Sequence, residues 1–315
     1  MRVKFRLLTT LNAPENPRPS LPPEGRTVVK VVDCCYESTG IPGFICDFSP
    51  PRSGSIAEAR RADIPADFIS VAYNPGRAVR ANSAMLAAAI KLETGMETVF
   101  TLATRDMNRL ALQSLLLGAQ MLGLANVVVV QGDPFNDRDL TLTRPADDYR
   151  PTELIAGIRA MNEGVDFRGS NLREPTNFCI GATFDLGRGI DAEAALTARK
   201  VAAGADFLIS QPVFDPDDTH HFRDSYERHS AAPLTVPVFY GLQILEAGGV
   251  LFSSVPESVR NQLDAGRSGV DIAAELYQRF QDAGLRNVYL MPPIRRGGAR
   301  DYAAAREFLE LARDN

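Results

Sequence analysis

The stretch VVVVQGDPF, residues 127–135, decides the fold. Four consecutive Val residues read as a strand buried on both faces, the mark of a parallel sheet covered by helices. The run ends in Gln131-Gly132-Asp133-Pro134. A carboxylate at the C-terminal end of such a strand, beside a Gly that lets a ligand approach the backbone, is where parallel α/β folds place their chemistry. The alternative is a turn in which Asp133 caps the next element.

Outward from this stretch the same rhythm repeats. Strand-like runs are GFICDF (43–48), DFISVAY (67–73), ETVFTLA (97–103), NVVVVQ (126–131), FCIGATF (178–184), DFLIS (206–210), PVFYGL (237–242) and NVYLM (287–291). Helical patterns separate most of them. In MNRLALQSLLLGAQMLG (107–123), Leu112, Leu115, Leu116, Ala119 and Leu122 fall at helical spacing. PTELIAGIRAMNEG (151–164), DAEAALTARKVAAG (191–204) and DYAAAREFLELAR (301–313) read the same way. Gly123, Gly204 and Gly284 each stand between a helix and a strand, where a left-handed cap is needed. Eight βα units predict a TIM (β/α)8 barrel over residues 43–315. A doubly wound open sheet is the competitor, but no GxGxxG follows the first strand.

Residues 1–42 stand apart as an N-terminal extension. APENPRPSLPPEG (13–25) is Pro-rich and reads as an extended linker. TVVKVVDCC (27–35) reads as a strand that could pair with VKFRLL (3–8). The extension is a lid, a barrel plug or an oligomer arm.

Of the 315 residues, 45% are hydrophobic and 23% charged, values of a globular cytoplasmic protein. No apolar run reaches the length of a membrane span, and the N-terminus lacks a signal peptide's apolar core. Net charge is −5 and Lys and Arg form no dense stripe, which argues against nucleic acid. Cys34 and Cys35 are adjacent, not spaced as zinc ligands. His220, His221 and His229 share one predicted helix at positions unsuited to a common metal. No metal site is expected.

In a barrel the site is built from the C-terminal strand ends. Those ends carry Asp47, Asn74, Thr101, Gln131, Asp133, Thr183, Asp185, Gln211, Gln243 and Arg295. No His or Cys nucleophile with a base partner is among them, so covalent catalysis is not expected. The set suits a polar planar ligand held by hydrogen bonds, with a carboxyl group for acid–base work and a cofactor carrying the chemistry. Asp47 is either a buried carboxylate paired with an Arg or a proton donor tuned by burial. Gln211 either binds an amide edge of a ligand or caps a loop. Arg199-Lys200 either bind phosphate or form a solvated helix face.

Several segments together resemble the methylenetetrahydrofolate reductase family, closest to the reductase half of bifunctional bacterial proteins. They are CDFSPPR (46–52), YNPGRAVR (73–80), KLETGMETVFTLATRDMNRLALQSLLLGAQMLGLANVVVVQGDP (91–134), NFCIGATF (177–184), ARKVAAGADFLISQPVFD (198–215) and YLMPP (289–293). The resemblance implies a flavin-dependent oxidoreductase interconverting 5,10-methylenetetrahydrofolate and 5-methyltetrahydrofolate, with FAD as cofactor and NADH or NADPH as co-substrate. It implies Asp47 as the general acid, in place of a Glu one methylene longer. Asp133 would face both flavin and folate, with Gln211 and Gln243 on the folate. Thr101, Ala103, Gln131, Gly132, Asp133 and Thr183 would line the flavin, with Arg199 and Lys200 near its phosphates.

The departures are specific. Thr101 replaces a His, Gln131 an Arg, Thr183 a Tyr and Leu196 an Asn, and GLQILEAGG (241–249) lacks the expected Pro and aromatic. They leave open a flavin-free barrel that handles one-carbon units, or the same reaction run oxidatively. A homo-oligomer is expected, with a tetrahydrofolate derivative as ligand and neither a membrane nor nucleic acid as partner.

Overall fold

A computed structural model describes residues 29–34, 43–251 and 254–314. Among them, eight parallel strands close into a barrel in sequence order. They are β1 (Phe44–Phe48), β2 (Phe68–Val71), β3 (Thr98–Ala103), β4 (Asn126–Val130), β5 (Cys179–Phe184), β6 (Phe207–Pro212), β7 (Val238–Gln243) and β8 (Val288–Met291). Closure is made by β1 against β8, with Phe44 opposite Val288 and Ile45 opposite Tyr289. The TIM-barrel expectation holds, and all eight expected strands are present.

The covering helices are α1 (Ser83–Thr94), α2 (Arg109–Met121), α3 (Asp137–Leu142), α4 (Pro151–Asn162), α5 (Ile190–Ala202), α6 (Asp217–Ser230), α7 (Glu257–Asp264), α8 (Gly269–Asp282) and α9 (Tyr302–Asp314). After β1 the helical layer is a 3-10 segment, Ile56–Ala62. Asn82 and Asn108 accept backbone N–H groups at the starts of α1 and α2, so side chains fix where these two helices begin. Gly123, Gly204 and Gly284 all have positive φ, as the helix-to-strand turns require.

Two apolar layers follow from strand alternation. One face of each strand packs on the helices, with Phe44, Phe100, Val127, Val129, Ile180 and Leu208 among its buried members. The other face fills the barrel with Ile45, Phe68, Val99, Val128, Cys179, Phe207, Ile209 and Phe239. These inward residues come from the N-terminal and middle parts of the strands, so that half is solid. Gly181 is a necessity of this packing, because a Cβ there would lie 2.4 Å from Phe207 Cζ.

The expected strand at 27–35 is corrected: Val31–Cys34 form one turn of 3-10 helix. Its partner segment, 3–8, and the Pro-rich stretch lie outside the described residues. Val31 is fully buried and joins the barrel-filling cluster. Asn126, the first residue of β4, receives Val31 N–H at 2.9 Å and donates to Val29 C=O at 2.9 Å. Those two bonds satisfy backbone groups that a strand would have paired. Val29, Val31 and Val32 pack on the barrel-filling cluster at the end opposite the strand C-termini.

Gly181→Val should therefore destabilise the protein by roughly 3 kcal/mol through overpacking against Phe207. Urea unfolding measures this; an unchanged midpoint would show that the barrel interior is loose at that level.

Candidate active site

Continuing the inward alternation past the apolar layer places Asp47, Ser70, Thr101, Thr183, Gln211, Gln243 and Tyr289 at the C-terminal mouth. The apolar fill thus gives way to polar groups near the strand ends. Asp47 is buried, with only 5% of its surface exposed. Tyr289 donates its hydroxyl to Asp47 Oδ1 at 3.1 Å. Arg300 Nε and Nη2 lie 3.1 and 3.0 Å from Oδ2. The Arg300 side chain is as buried as the carboxylate it meets. Of the two readings of Asp47, the ion pair is present, and every bond just described donates to the carboxylate.

Tyr289 also receives a side-chain hydrogen bond from Ser70 on β2. Burial, and then the Asp47 charge, push its hydroxyl well above the usual tyrosine range, so it stays a proton donor. Tyr302, at the start of α9, stacks on Phe48 with centroids 4.8 Å apart and accepts Ser49 N–H at 3.0 Å. The exit of β1 is thereby held against the elements that follow β8.

A second network sits at the ends of β3 and β4. Gly132 has φ 88°, and a Cβ there would lie 3.2 Å from Ala103 Cβ and 3.4 Å from Arg105 Cβ. Arg105 donates its backbone N–H to Gln131 C=O at 3.1 Å, and its guanidinium donates to Asp133 C=O. The same guanidinium forms a two-pronged pair with Asp106 at 2.5 and 2.7 Å and lies over the Phe135 ring at 4.2 Å. Tyr73 donates to Asp106. Gln131 and Asp133 are exposed, and Asn136 rather than Asp133 caps α3.

On the far side of the mouth, β5 and β6 carry a third group. Lys200 is buried and donates Nζ to Thr183 C=O at 2.5 Å. Burial lowers its proton affinity, with the Glu193 charge opposing. Arg199, its neighbour in sequence, is on the exposed face of α5. The pair anticipated as one unit is thus split across two helix faces. The β6–β7 register slips between Ile209 and Pro212, so Gln211 sits on an irregularity at the strand end. Gly241 makes room for it, since a Cβ there would lie 2.6 Å from Gln211 C=O. Gln243 is buried and donates Nε2 to Val250 C=O at 2.9 Å, tying down the loop that follows.

Sequence reasoning had not singled out Tyr289, Arg300, Ser70, Arg105 or Tyr73. Alternation along NVYLM does carry a signal for Tyr289, because Val288 and Leu290 pack outward. Arg300 carries none, since it arrives from the loop IRRGGAR (294–300) by tertiary folding. Arg295 forms ion pairs with Glu246 and Asp301 on the exposed side of that loop. Asp185 accepts Gly187 N–H and caps a short turn.

Comparison with known proteins decides the lineage of this barrel. The family model described as Methylenetetrahydrofolate reductase matches residues 42–291. The chain belongs to that family. It is 23% identical over 185 residues to Methylenetetrahydrofolate reductase 1 of Schizosaccharomyces pombe, covering 57% of this chain and 28% of the relative. It is 22% identical to Methylenetetrahydrofolate reductase 2 of Saccharomyces cerevisiae, covering 71% and 38%. With Methylenetetrahydrofolate reductase 2 of Schizosaccharomyces pombe the identity is 21%, covering 81% and 43%. The chain thus spans less than half the length of these relatives. Among solved structures, the fold is similar to a protein from Clostridium thermocellum that binds two copies of 5-methyl-5,6,7,8-tetrahydrofolic acid. That similarity has a TM-score of 0.62 at 12% identity, over 89% of this chain and 98% of the other.

Breaking a buried pair leaves a charge without a partner. Arg300→Met should cost ~3–5 kcal/mol in urea unfolding. The double variant Asp47→Leu with Arg300→Met should recover most of that loss. A double variant as unstable as the single would assign the cost to packing instead.

Alkaline pH probes the second network. Burial, then the Asp106 charge and hydrogen bond, push the Tyr73 hydroxyl up to about 12 from its usual 10.0. A group raised in the folded state stabilises the fold fully below its ordinary value, and the gain is lost as pH rises through the raised one. Unfolding free energy should fall between pH 10.0 and about 12, less steeply in Tyr73→Phe. An identical slope in the variant would contradict this.

Proposed function

We propose that this barrel is a flavin-dependent oxidoreductase interconverting 5,10-methylenetetrahydrofolate and 5-methyltetrahydrofolate, with FAD bound at the mouth and NADH or NADPH as partner. The observation that carries the reading is the Asp47–Tyr289 hydrogen bond, buried at the mouth of a barrel of this family. It provides a proton-handling pair where the reacting end of a ligand would lie.

The rim suits a flavin. Thr101, Ala103 and Thr183 are small, and Gly132 is pressed so close to Ala103 that backbone forms that wall. Such a wall of backbone and hydroxyl groups can meet the polar edge of a planar ring. Thr101, Ala103, Gln131, Gly132, Asp133 and Thr183 would hold the ring, and Arg199 and Lys200 would lie toward its phosphates. FAD, when bound, supplies hydride transfer between the nicotinamide and the folate.

The protein's own residues orient the folate and manage the proton. Gln211 offers a paired donor and acceptor to a pterin edge, and Gln243, whose Nε2 donates to Val250 C=O, would line the same edge. Opening the methylene bridge leaves an amine nitrogen that needs a proton. The Asp47 carboxylate takes up a proton from solvent and hands it to that nitrogen while the Tyr289 hydroxyl holds its other oxygen, and in the oxidative direction the carboxylate receives the proton. Arg300 holds the Asp47 carboxylate in place.

A flavin-free folate-binding barrel is the second reading. It is favoured by Thr101 and Leu196 at positions where a His and an Asn would face the flavin, and by the folate bound in the Clostridium thermocellum protein. Visible absorption separates the two. The purified protein should be yellow, or become so with FAD, and be bleached by a nicotinamide. Asp47→Ala should keep flavin reduction and lose folate turnover. Protein that gains no flavin absorbance yet binds tetrahydrofolate in calorimetry would favour the second reading.

A further inference from the structure

Arg52 and Arg80 lie at the rim between the first and last strands, beside the loop that carries Arg300. The β1 exit carries Pro50-Pro51-Arg52, and the segment before α1 carries Arg80-Ala81. The two are joined by Arg80 Nη1 donating to Pro50 C=O at 2.9 Å and by Ala81 N–H donating to Pro51 C=O at 2.9 Å. Arg52 therefore emerges beside Arg80. The Gly-rich loop after β8 closes the third side. A Cβ on Gly298, at φ 88°, would lie 3.5 Å from Arg80 Nη2, and two residues later Arg300 turns in to Asp47.

Two donors in this cluster are unspent. Arg80 Nε is buried and has no hydrogen-bond partner among the described residues. Arg52 is exposed and pairs with no carboxylate among them. Buried donors in native proteins nearly always have a partner, so an orphan one calls for an explanation. Burial, then the charges of Arg52 and Arg300, lower the proton affinity of Arg80. Arg52, Arg80 and Arg300 thus lie near one another at the rim, where Arg300 pairs with Asp47, on a chain whose net charge is −5. Like charges brought together in this way repel unless an anion joins them.

We propose that Arg52 and Arg80 form an oxyanion subsite at the rim beside Asp47, which binds a carboxylate or phosphate group of a ligand. Planar guanidinium groups match both anions through paired N–H donors. Arg300, spent on Asp47, adds charge rather than contact. The anion is either a carboxylate of a substrate or a phosphate of a nucleotide cofactor. The subsite stands on this geometry and does not require the folate reading.

Calorimetry at low ionic strength tests it, with glutarate as the carboxylate probe and inorganic pyrophosphate as the phosphate probe. Wild-type protein should bind at least one probe, and the probe bound identifies the source. Arg52→Gln and Arg80→Gln should each weaken that binding about tenfold, the loss of one charge-assisted contact. Arg144→Gln, on an exposed loop elsewhere, should leave it unchanged. Because Arg52 is exposed, its variant keeps the test valid should Arg80→Gln fail to fold. Binding of neither probe, or equal binding by wild type and Arg52→Gln, would overturn the proposal. A protein that binds a probe but no tetrahydrofolate would keep the subsite and lose the functional reading.

Discussion

A carboxylate sealed inside a barrel must have a partner, and here the partner comes from the opposite end of the chain. Asp47 lies on β1 and Arg300 on the loop after β8, with both side chains almost wholly out of water. The desolvation of either charge would cost several kcal/mol if it were left alone. That requirement bends the loop 294–300 over the mouth and seats it by an isolated bridge between Ile294 and Arg300. The stacking of Tyr302 on Phe48 continues the same seam into α9. The β1–β8 closure and the Asp47–Arg300 pair thus lie on the same seam of the barrel.

The division of the barrel into a filled end and a polar mouth follows from where large and small residues alternate. Phe68, Phe207 and Phe239 fill the interior below, and Gly181 is the concession that lets Phe207 lie across it. Val31 extends the same apolar layer from outside the strands. Near the top, inward positions change to Asp, Ser, Thr, Gln and Tyr, and Gly241 admits the irregular end of β6. The filled interior leaves the mouth as the place where a ligand could enter the barrel.

Much of this was legible in the sequence. Strands buried on both faces announce themselves by runs such as Val127–Val130, and the glycine caps at 123, 204 and 284 mark where helices hand over to strands. Strand-end reading located Asp47, Thr101, Thr183, Gln211 and Gln243, because a barrel directs alternate residues inward. What stayed hidden depends on contacts between distant segments. Arg300 reaches Asp47 across 253 residues, and Tyr289 reaches it across 242. The segment 27–35 looked like a strand because it is rich in Val. The side chain of Asn126 meets the backbone of Val29 and Val31 there, so no neighbouring strand is needed. Arg199 and Lys200, adjacent in sequence, were separated by the helix itself, which turns by about 100° per residue.

On the proposed function, the ligand's reacting end lies at the mouth, over Asp47 and Tyr289. An experimental structure with 5-methyltetrahydrofolate bound tests it most directly. The pterin should lie within hydrogen-bond reach of the Asp47–Tyr289 pair, flanked by Gln211 and Gln243. A pterin seated instead in the outer cleft between Phe214, Val259 and Ile272, with the mouth unchanged, would contradict it.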